Sequence, residues 1–415
     1  MMPAVSFANL LVVALIAFAA PFLLGLMPRL RLPSVVVEIV AGILVGPAAL
    51  GWVKVDLPVH ILSILGLAFL LFLAGMEIDL ERLRGRALRL AGLSFAASAI
   101  LALVAGYVAF ALGLVRSPLL IGIILLATSL GLVVPVLKDA GEATSAFGQL
   151  VIAAATVADF GAVILLSLFF SREASSPVAK LILLAGFVTV IGLVVLGVKR
   201  LERIMRLSAL LVRLQDTTAE IRVRASVVLL IAFTALAQKL GLETILAAFL
   251  AGATLRLIDR DQLRTHPNFP LKLEAIGYGF LIPVFFVTSG LQFDLRALFA
   301  SPSNLLRLPV FLLALLAVRG LPALLYRGVI GGRRIMTAAL LQATSLPFIV
   351  AASAIGLELR LISPASGAAL VGAGLVSVVV FPVLALTLMH DSNDDVAGTP
   401  ALQSAQTVHG TGGDG

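Results

Sequence analysis

The chain has no cysteine among its 415 residues, so disulfide frameworks and thiolate metal sites are excluded. Charge is scarce. Asp, Glu, Lys and Arg make up 13% of the residues, whereas 60% are hydrophobic. A water-soluble fold of this length could not cover so much apolar side chain, so the bilayer must act as solvent. Histidine is rare too, with four copies, and none falls near the middle of an apolar run. With one buried acid and no cysteine, this leaves no catalytic pair for an intramembrane enzyme. The net charge is +8. In a soluble chain that would point to nucleic acid. Here membrane topology accounts for it, and no nucleic-acid partner is expected. The opening MMPAVSFANL lacks a basic stretch ahead of its apolar run, so that run is expected to be retained and not cleaved.

Long apolar runs are what the chain does have. Thirteen fall at 3–27, 33–50, 58–76, 88–113, 118–138, 146–170, 178–198, 225–240, 243–257, 272–290, 305–327, 334–356 and 365–389. The second, eighth and ninth are short for spans. Of the 30 Lys and Arg, twenty-one lie in or beside odd-numbered connections and eight at even-numbered ones. The positive-inside rule then puts the odd connections in the cytoplasm, the N-terminus outside and the C-terminus inside. The expectation is an all-α, multi-pass protein of the plasma membrane over residues 1–390. The polar, Gly-rich tail 391–415 is expected to be disordered. The basic segment 199–224 either lies along the membrane surface or links two bundles.

The basic residue left over is Arg319, in LLALLAVRGLPALL, inside the eleventh run. Asp159, in AATVADFGAVILL, sits at the middle of the sixth. Each is expensive in hydrocarbon unless it faces protein or water. Asp159 therefore points to function, the alternative being a structural ion pair. Arg319 keeps its proton under ordinary conditions, which makes it a fixed counter-charge. Glu38, in the first turns of the second run, could gate or tune access. Snorkelling or facing a dimer partner is the more ordinary role for an acid so placed.

The tetrapeptide ATSL occurs at 127–130 and at 343–346, in the fifth and twelfth runs. These runs cross the membrane in opposite directions. Gly131 and Pro135 follow the first copy and Pro347 the second. The expected plan is two inverted-topology repeats, runs 4–6 and 11–13, with a discontinuous helix in each. Thr128, Ser129, Thr344 and Ser345 could serve freed backbone groups or an ion, or merely bond to their own helices.

Several stretches then resemble a known family. LPSVVVEIVAGILVGPAALG, LGLAFLLFLAGMEIDLERLR, ATSLGLVVPVLKDAG and IPVFFVTSGLQFDL are similar, in order and spacing, to motifs of the monovalent cation:proton antiporter-2 family within the Na⁺/H⁺ antiporter superfamily. The resemblance implies the Na⁺/H⁺ antiporter fold. A core within 88–170 and 305–389 would move like an elevator against a dimerisation scaffold within 3–50 and 225–257, in a homodimer. It implies Asp159, with Thr128 and Ser129, as the site for Na⁺ or K⁺ and protons. Arg319 would be the intramembrane counter-charge, and Thr344 and Ser345 would mark the second break. No cofactor is implied, nor any metal beyond the transported cation. The family usually has an Asp, Asn or Gln just before the aspartate. Here Ala158 stands there. The potassium-efflux branch mostly carries a C-terminal nucleotide-binding domain, for which this sequence shows no signature. One-for-one electroneutral exchange is the expected activity. The alternative is a sodium-coupled symporter of a small organic anion on the same plan.

Overall fold

The computed structural model describes residues 6–26, 32–77, 85–170, 220–240, 244–258 and 268–397, the side chains of 139, 268 and 390–397 excepted, with isolated positions between 185 and 196. All regular structure among them is helical. Helices α1 (Ala8–Leu26), α2 (Ser34–Val45), α3 (Leu57–Met76) and α4 (Gly85–Ala111) come first. Next, α5 (Pro118–Leu126) and α6 (Leu130–Asp139) form one interrupted span, followed by α7 (Ala146–Phe170). After α8 (Ile221–Lys239) and α9 (Thr244–Ile258), α10 (Asn268–Ile276) passes through a π-helical turn (Gly277–Leu281) into α11 (Ile282–Leu291). The short α12 (Leu295–Phe299) precedes α13 (Pro302–Gly320), which tightens into a 3₁₀ stretch (Leu321–Gly328). The second interrupted span, α14 (Gly332–Gln342) and α15 (Pro347–Glu358), leads to α16 (Pro364–Ala397).

Among the described residues, ten helical runs are long and apolar enough to cross a membrane, and α2 and α9 are shorter apolar helices. The chain is therefore a multi-pass membrane protein. Together these account for twelve of the thirteen expected spans. The seventh, 178–198, and most of 199–224 lie outside the described residues. Helix α2 rises only about 18 Å, short of a hydrocarbon layer of about 30 Å. The turn after it carries Trp52, 71% exposed, a side chain suited to the membrane–water boundary.

Local signals explain the helix starts. Asp56 caps α3 by accepting the Val59 N–H at 3.2 Å, Ser117 caps α5 and Ser301 caps α13. In each case proline follows within the first two positions, where its missing N–H costs nothing.

The helices pack as two bundles. One contains α4–α7 and α13–α16, and within it each set of spans is long, broken, long. Its two halves are tied on the side of the odd-numbered connections by the Glu142–Arg334 ion pair at 3.0 Å. The other bundle contains α1–α3 and α8–α11. Its helices meet almost backbone to backbone. A Cβ on Gly252 would collide with the Phe72 carbonyl, and one on Gly75 with that of Phe249. Gly42 and Gly290 hold α2 against α11 in the same way. Small residues permit such approach in a medium that gives apolar side chains no reason to cluster.

Two expectations need correction. The first break is not made by Gly131 or Pro135, whereas Pro347 stands directly after the second and disfavours helical backbone at Leu346. Residues 127–129 and 344–346 are the non-helical ones. Gly131 and Pro135 lie inside α6, and Pro347 opens α15. The tail from Asp391 also does not begin as coil, because α16 continues to Ala397. Extending an existing helix needs no new nucleus, so polar residues can propagate it for a turn or two.

Candidate functional site

The two breaks lie against each other. The Ser129 N–H donates to the Thr344 carbonyl at 2.9 Å, and the Thr128 hydroxyl donates to the Gln342 carbonyl at 2.7 Å. At the second break, the Ser345 N–H donates to Ser377 Oγ at 3.2 Å. The Thr344 hydroxyl bonds back to the Leu340 carbonyl at 3.1 Å, the ordinary use of threonine in a helix. Thr344 and Ser345 are fully buried.

A new helix start at membrane depth leaves backbone amides without partners. Asp159, on α7, supplies them. Its Oδ1 accepts the Thr128 N–H at 2.9 Å and its Oδ2 the Leu130 N–H at 3.2 Å. Asp159 thus caps α6 from a neighbouring helix, with its carboxylate at the positive end of the α6 dipole. Ser129 occupies the cap position without using its own side chain.

Arg319 is fully buried. Its Nε–H donates to Thr128 Oγ1 at 2.9 Å and its Nη1 to Ser98 Oγ at 3.0 Å. Nη2 finds no partner among the described residues. Among those residues no ion pair joins Arg319 to Asp159 either. The charges communicate through Thr128, which takes a bond from the guanidinium on its hydroxyl and gives one to the carboxylate from its amide. Beside them, Gln342 Nε2 donates to Tyr326 Oη at 3.0 Å.

Asp159 faces a crevice of about 240 Å³ between the bundles. Thr128 and Ser129 line it, as does Glu38 on α2. Arg319, Thr344 and Ser345 stand behind that surface. The Thr128 hydroxyl is committed to Arg319 and Gln342, whereas among the described residues no hydrogen bond engages that of Ser129. Pro33, Ser34 and Glu77 also line the crevice. These mark the start of α2 and the end of α3, so the crevice lies toward the side of the odd-numbered connections. A second crevice, about 230 Å³, lies further along α11 and α15 toward the opposite side, lined by Ser289, Gln292, Asp294 and Ser353.

Sequence reasoning had not selected Glu77 or Tyr278 as site residues. The LAGMEIDL stretch holds the first. The second is carried inward by the π turn, where Pro283 leaves the Gly279 carbonyl without its usual amide. Glu77 keeps solvent contact while protein crowds it. That loss of water, then the like charges of Asp159 and Glu274, push its carboxyl up from 4.5 to about 7, with Lys138 opposing. Ser98, Ser377 and Gln342 were missed as well. Only QATSL, which places Gln342 one residue before the repeat, could have flagged any of the three.

A family profile described as "Sodium/hydrogen exchanger, transmembrane" matches residues 13–387. The chain belongs to this family. Sodium/hydrogen exchangers are transporters and not enzymes, and membership lends the symporter alternative no support. YjbQ of Bacillus subtilis (strain 168) is 32% identical over 395 residues, 91% of this chain and 62% of YjbQ. The chain thus spans less than two thirds of that relative. GerN of Bacillus cereus, named a Na⁺/H⁺-K⁺ antiporter, is 32% identical over 285 residues, 68% of this chain and 70% of its own. Among solved structures, the sodium proton antiporter MjNhaP1 from Methanocaldococcus jannaschii superposes with a TM-score of 0.65 at 18% identity. The match covers 92% of this chain and 98% of that one, a likeness of fold.

Proposed function

We propose that the chain exchanges a monovalent cation, Na⁺ or K⁺, for protons, and that Asp159 is the group both compete for. The observation that carries this is the carboxylate's position. It is held by two amides at a broken helix and opens on a crevice that approaches from one side. Backbone amides take the place of the polar side chain absent at Ala158. They fix the carboxylate while leaving oxygen lone pairs to face the crevice. A cation there would meet Asp159 and the Ser129 hydroxyl. A proton on Asp159 would remove the charge that attracts the cation, so one site carries one or the other.

The bundle bearing Asp159 is the moving part in this reading, and α1–α3 with α8–α11 the scaffold and dimerisation surface of a homodimer. The two triplets around the breaks act as inverted repeats. The second crevice, on the far side of α11 and α15, is where Asp159 would open after the movement. With the odd connections in the cytoplasm of a plasma-membrane protein, the arrangement described is inward-facing. Carrying an empty, charged Asp159 past the scaffold is unfavourable, which couples movement to loading. Arg319 holds a constant positive charge throughout, and one competing acid gives one cation per proton. The name of GerN is the reason to test K⁺ beside Na⁺. In proteoliposomes, Na⁺ or K⁺ pulses should dissipate a preset ΔpH at a rate unaffected by clamping the membrane potential. A rate that follows the potential would remove electroneutrality; no cation-dependent dissipation would remove exchange itself.

A further inference from the structure

Glu38 is 3% exposed, yet it lines the crevice that reaches Asp159. The outward face of α2 carries Val40 and Leu44, 41% and 53% exposed, so Glu38 neither snorkels nor lies on a surface open to a second copy. Among the described residues no cation and no amide of another helix bonds to its carboxylate. Its polar neighbour is the Ser34 hydroxyl, one turn earlier and on the same crevice wall. Helix packing does not account for it, because α2 meets α11 through Gly42 and Gly290. Nor do the helices packed on α2 supply a charge. Helices α1 and α11 carry no titratable side chain, and α16 carries none before His390. The other titratable groups on the crevice are Glu77, Asp159 and Tyr278. An acid buried in an apolar wall without a charge partner is costly, and it is tolerated where a mobile cation or water can reach it.

The two walls have different origins. Asp159 belongs to one bundle, and Glu38 and Glu77 to the other. We infer that Glu38, with the Ser34 hydroxyl beside it, is a cation-binding station on the scaffold wall, which holds the monovalent cation on the odd-connection side before it reaches Asp159. Oxygen-only ligands with a single negative charge suit a hard, singly charged cation. Because the station does not belong to the bundle of Asp159, it would set affinity on one face of the membrane only. The inference rests on exchange at Asp159.

Full-length protein in oriented proteoliposomes, titrated with Na⁺ and with K⁺ from each face in turn, tests it. Glu38→Gln should raise KM on the odd-connection face about tenfold, the loss expected for one charged ligand, with a smaller fall in maximal rate. At symmetric pH, KM on the opposite face should be unchanged while its maximal rate falls, because Vmax/KM must stay equal in the two directions, and Glu38→Asp should recover most of the loss. On the odd-connection face, an unchanged KM, or a lower rate at constant KM, would overturn the station. A second measurement does not depend on transport. In the Asp159→Asn background, carbodiimide labelling of Glu38, read by mass spectrometry, should fall in millimolar Na⁺ or K⁺ relative to choline. Equal labelling in all three salts overturns the station as well. Normal exchange by Asp159→Asn would instead overturn the reading of Asp159, and the labelling would still decide the case of Glu38.

Discussion

Asp159 and Arg319 are linked through one residue, Thr128, and not to each other. The Thr128 amide donates to Asp159 at 2.9 Å and its hydroxyl accepts from Arg319 at 2.9 Å. A change at the carboxylate, such as taking up a proton, alters the amide bond, while the hydroxyl stays tied to the fixed charge. The helix break is therefore held from both sides.

The Thr128 hydroxyl should matter for this tether and not as an ion ligand. Thr128→Val keeps the shape and removes the hydroxyl. It should slow exchange about tenfold, since a hydrogen bond to a charged group contributes about 1.5–3 kcal/mol. Thr128→Ser should stay within about threefold of wild type, because the hydroxyl remains. The initial rate of ΔpH dissipation compares them. Equal rates for the Val and Ser variants would rule the tether out.

Arg319 should be needed for stability as well as for exchange. Its fully buried guanidinium is the positive charge near Asp159 and donates to Thr128 and Ser98. Removing one member of a buried charged set costs about 3–5 kcal/mol because the other charge is left uncompensated. Arg319→Met should therefore melt in detergent below the wild-type temperature and lose most exchange. A melting temperature at or above wild type would contradict this role.

Much of this was legible in the residues, for reasons that can be given. Asp159 and Arg319 stood out because ionisable side chains are conspicuous in apolar runs. Thr128 and Thr344 marked the breaks because ATSL recurred on runs of opposite direction. The cap on α6 was not legible. Backbone amides have no letter in a sequence, so Ala158 looked like a loss when the partners of Asp159 were main-chain groups 29 and 31 residues away. Ser98 lies 221 residues from Arg319, and nothing local ties them. Tyr278 reached the crevice through a π turn that shifts helical phase, which a regular period does not anticipate. Gly131 and Pro135 misled because an interior proline can kink a helix and cost it one hydrogen bond, here to the Gly131 carbonyl, without ending it.

Glu77 should give the crevice a pH response. Its carboxyl, raised from 4.5 to about 7, is mostly neutral below that pH and charged above it. Rising pH should therefore lower the cation KM between about pH 6 and 8, beyond the relief of proton competition at Asp159. The sign for stability is opposite. Between 4.5 and about 7 the folded chain holds a proton on Glu77 that the unfolded chain has lost, so stability falls as pH rises through that window. Glu77→Gln should flatten both trends. Unaltered pH profiles of KM and melting temperature in that variant would contradict the assignment.

The scaffold should be intolerant of even one added methyl group at its closest crossing. Gly252→Ala places a Cβ against the Phe72 carbonyl, a backbone atom that cannot turn aside. The expected loss is about 1–3 kcal/mol, seen as a lower melting temperature in detergent. Gly279, with nothing near the position of a Cβ, should accept alanine far more readily. Equal melting of the two variants would refute the packing.

The central claim is that one carboxylate, Asp159, binds proton and cation in turn. The direct test is the rate at which a Na⁺ or K⁺ pulse dissipates a preset ΔpH in proteoliposomes containing wild type or Asp159→Asn, each confirmed as folded by its melting transition. The asparagine can still accept the Thr128 amide but can neither lose a proton nor balance a cation. The account predicts no cation-dependent dissipation above protein-free liposomes for Asp159→Asn. Dissipation at the wild-type rate by that variant would contradict it.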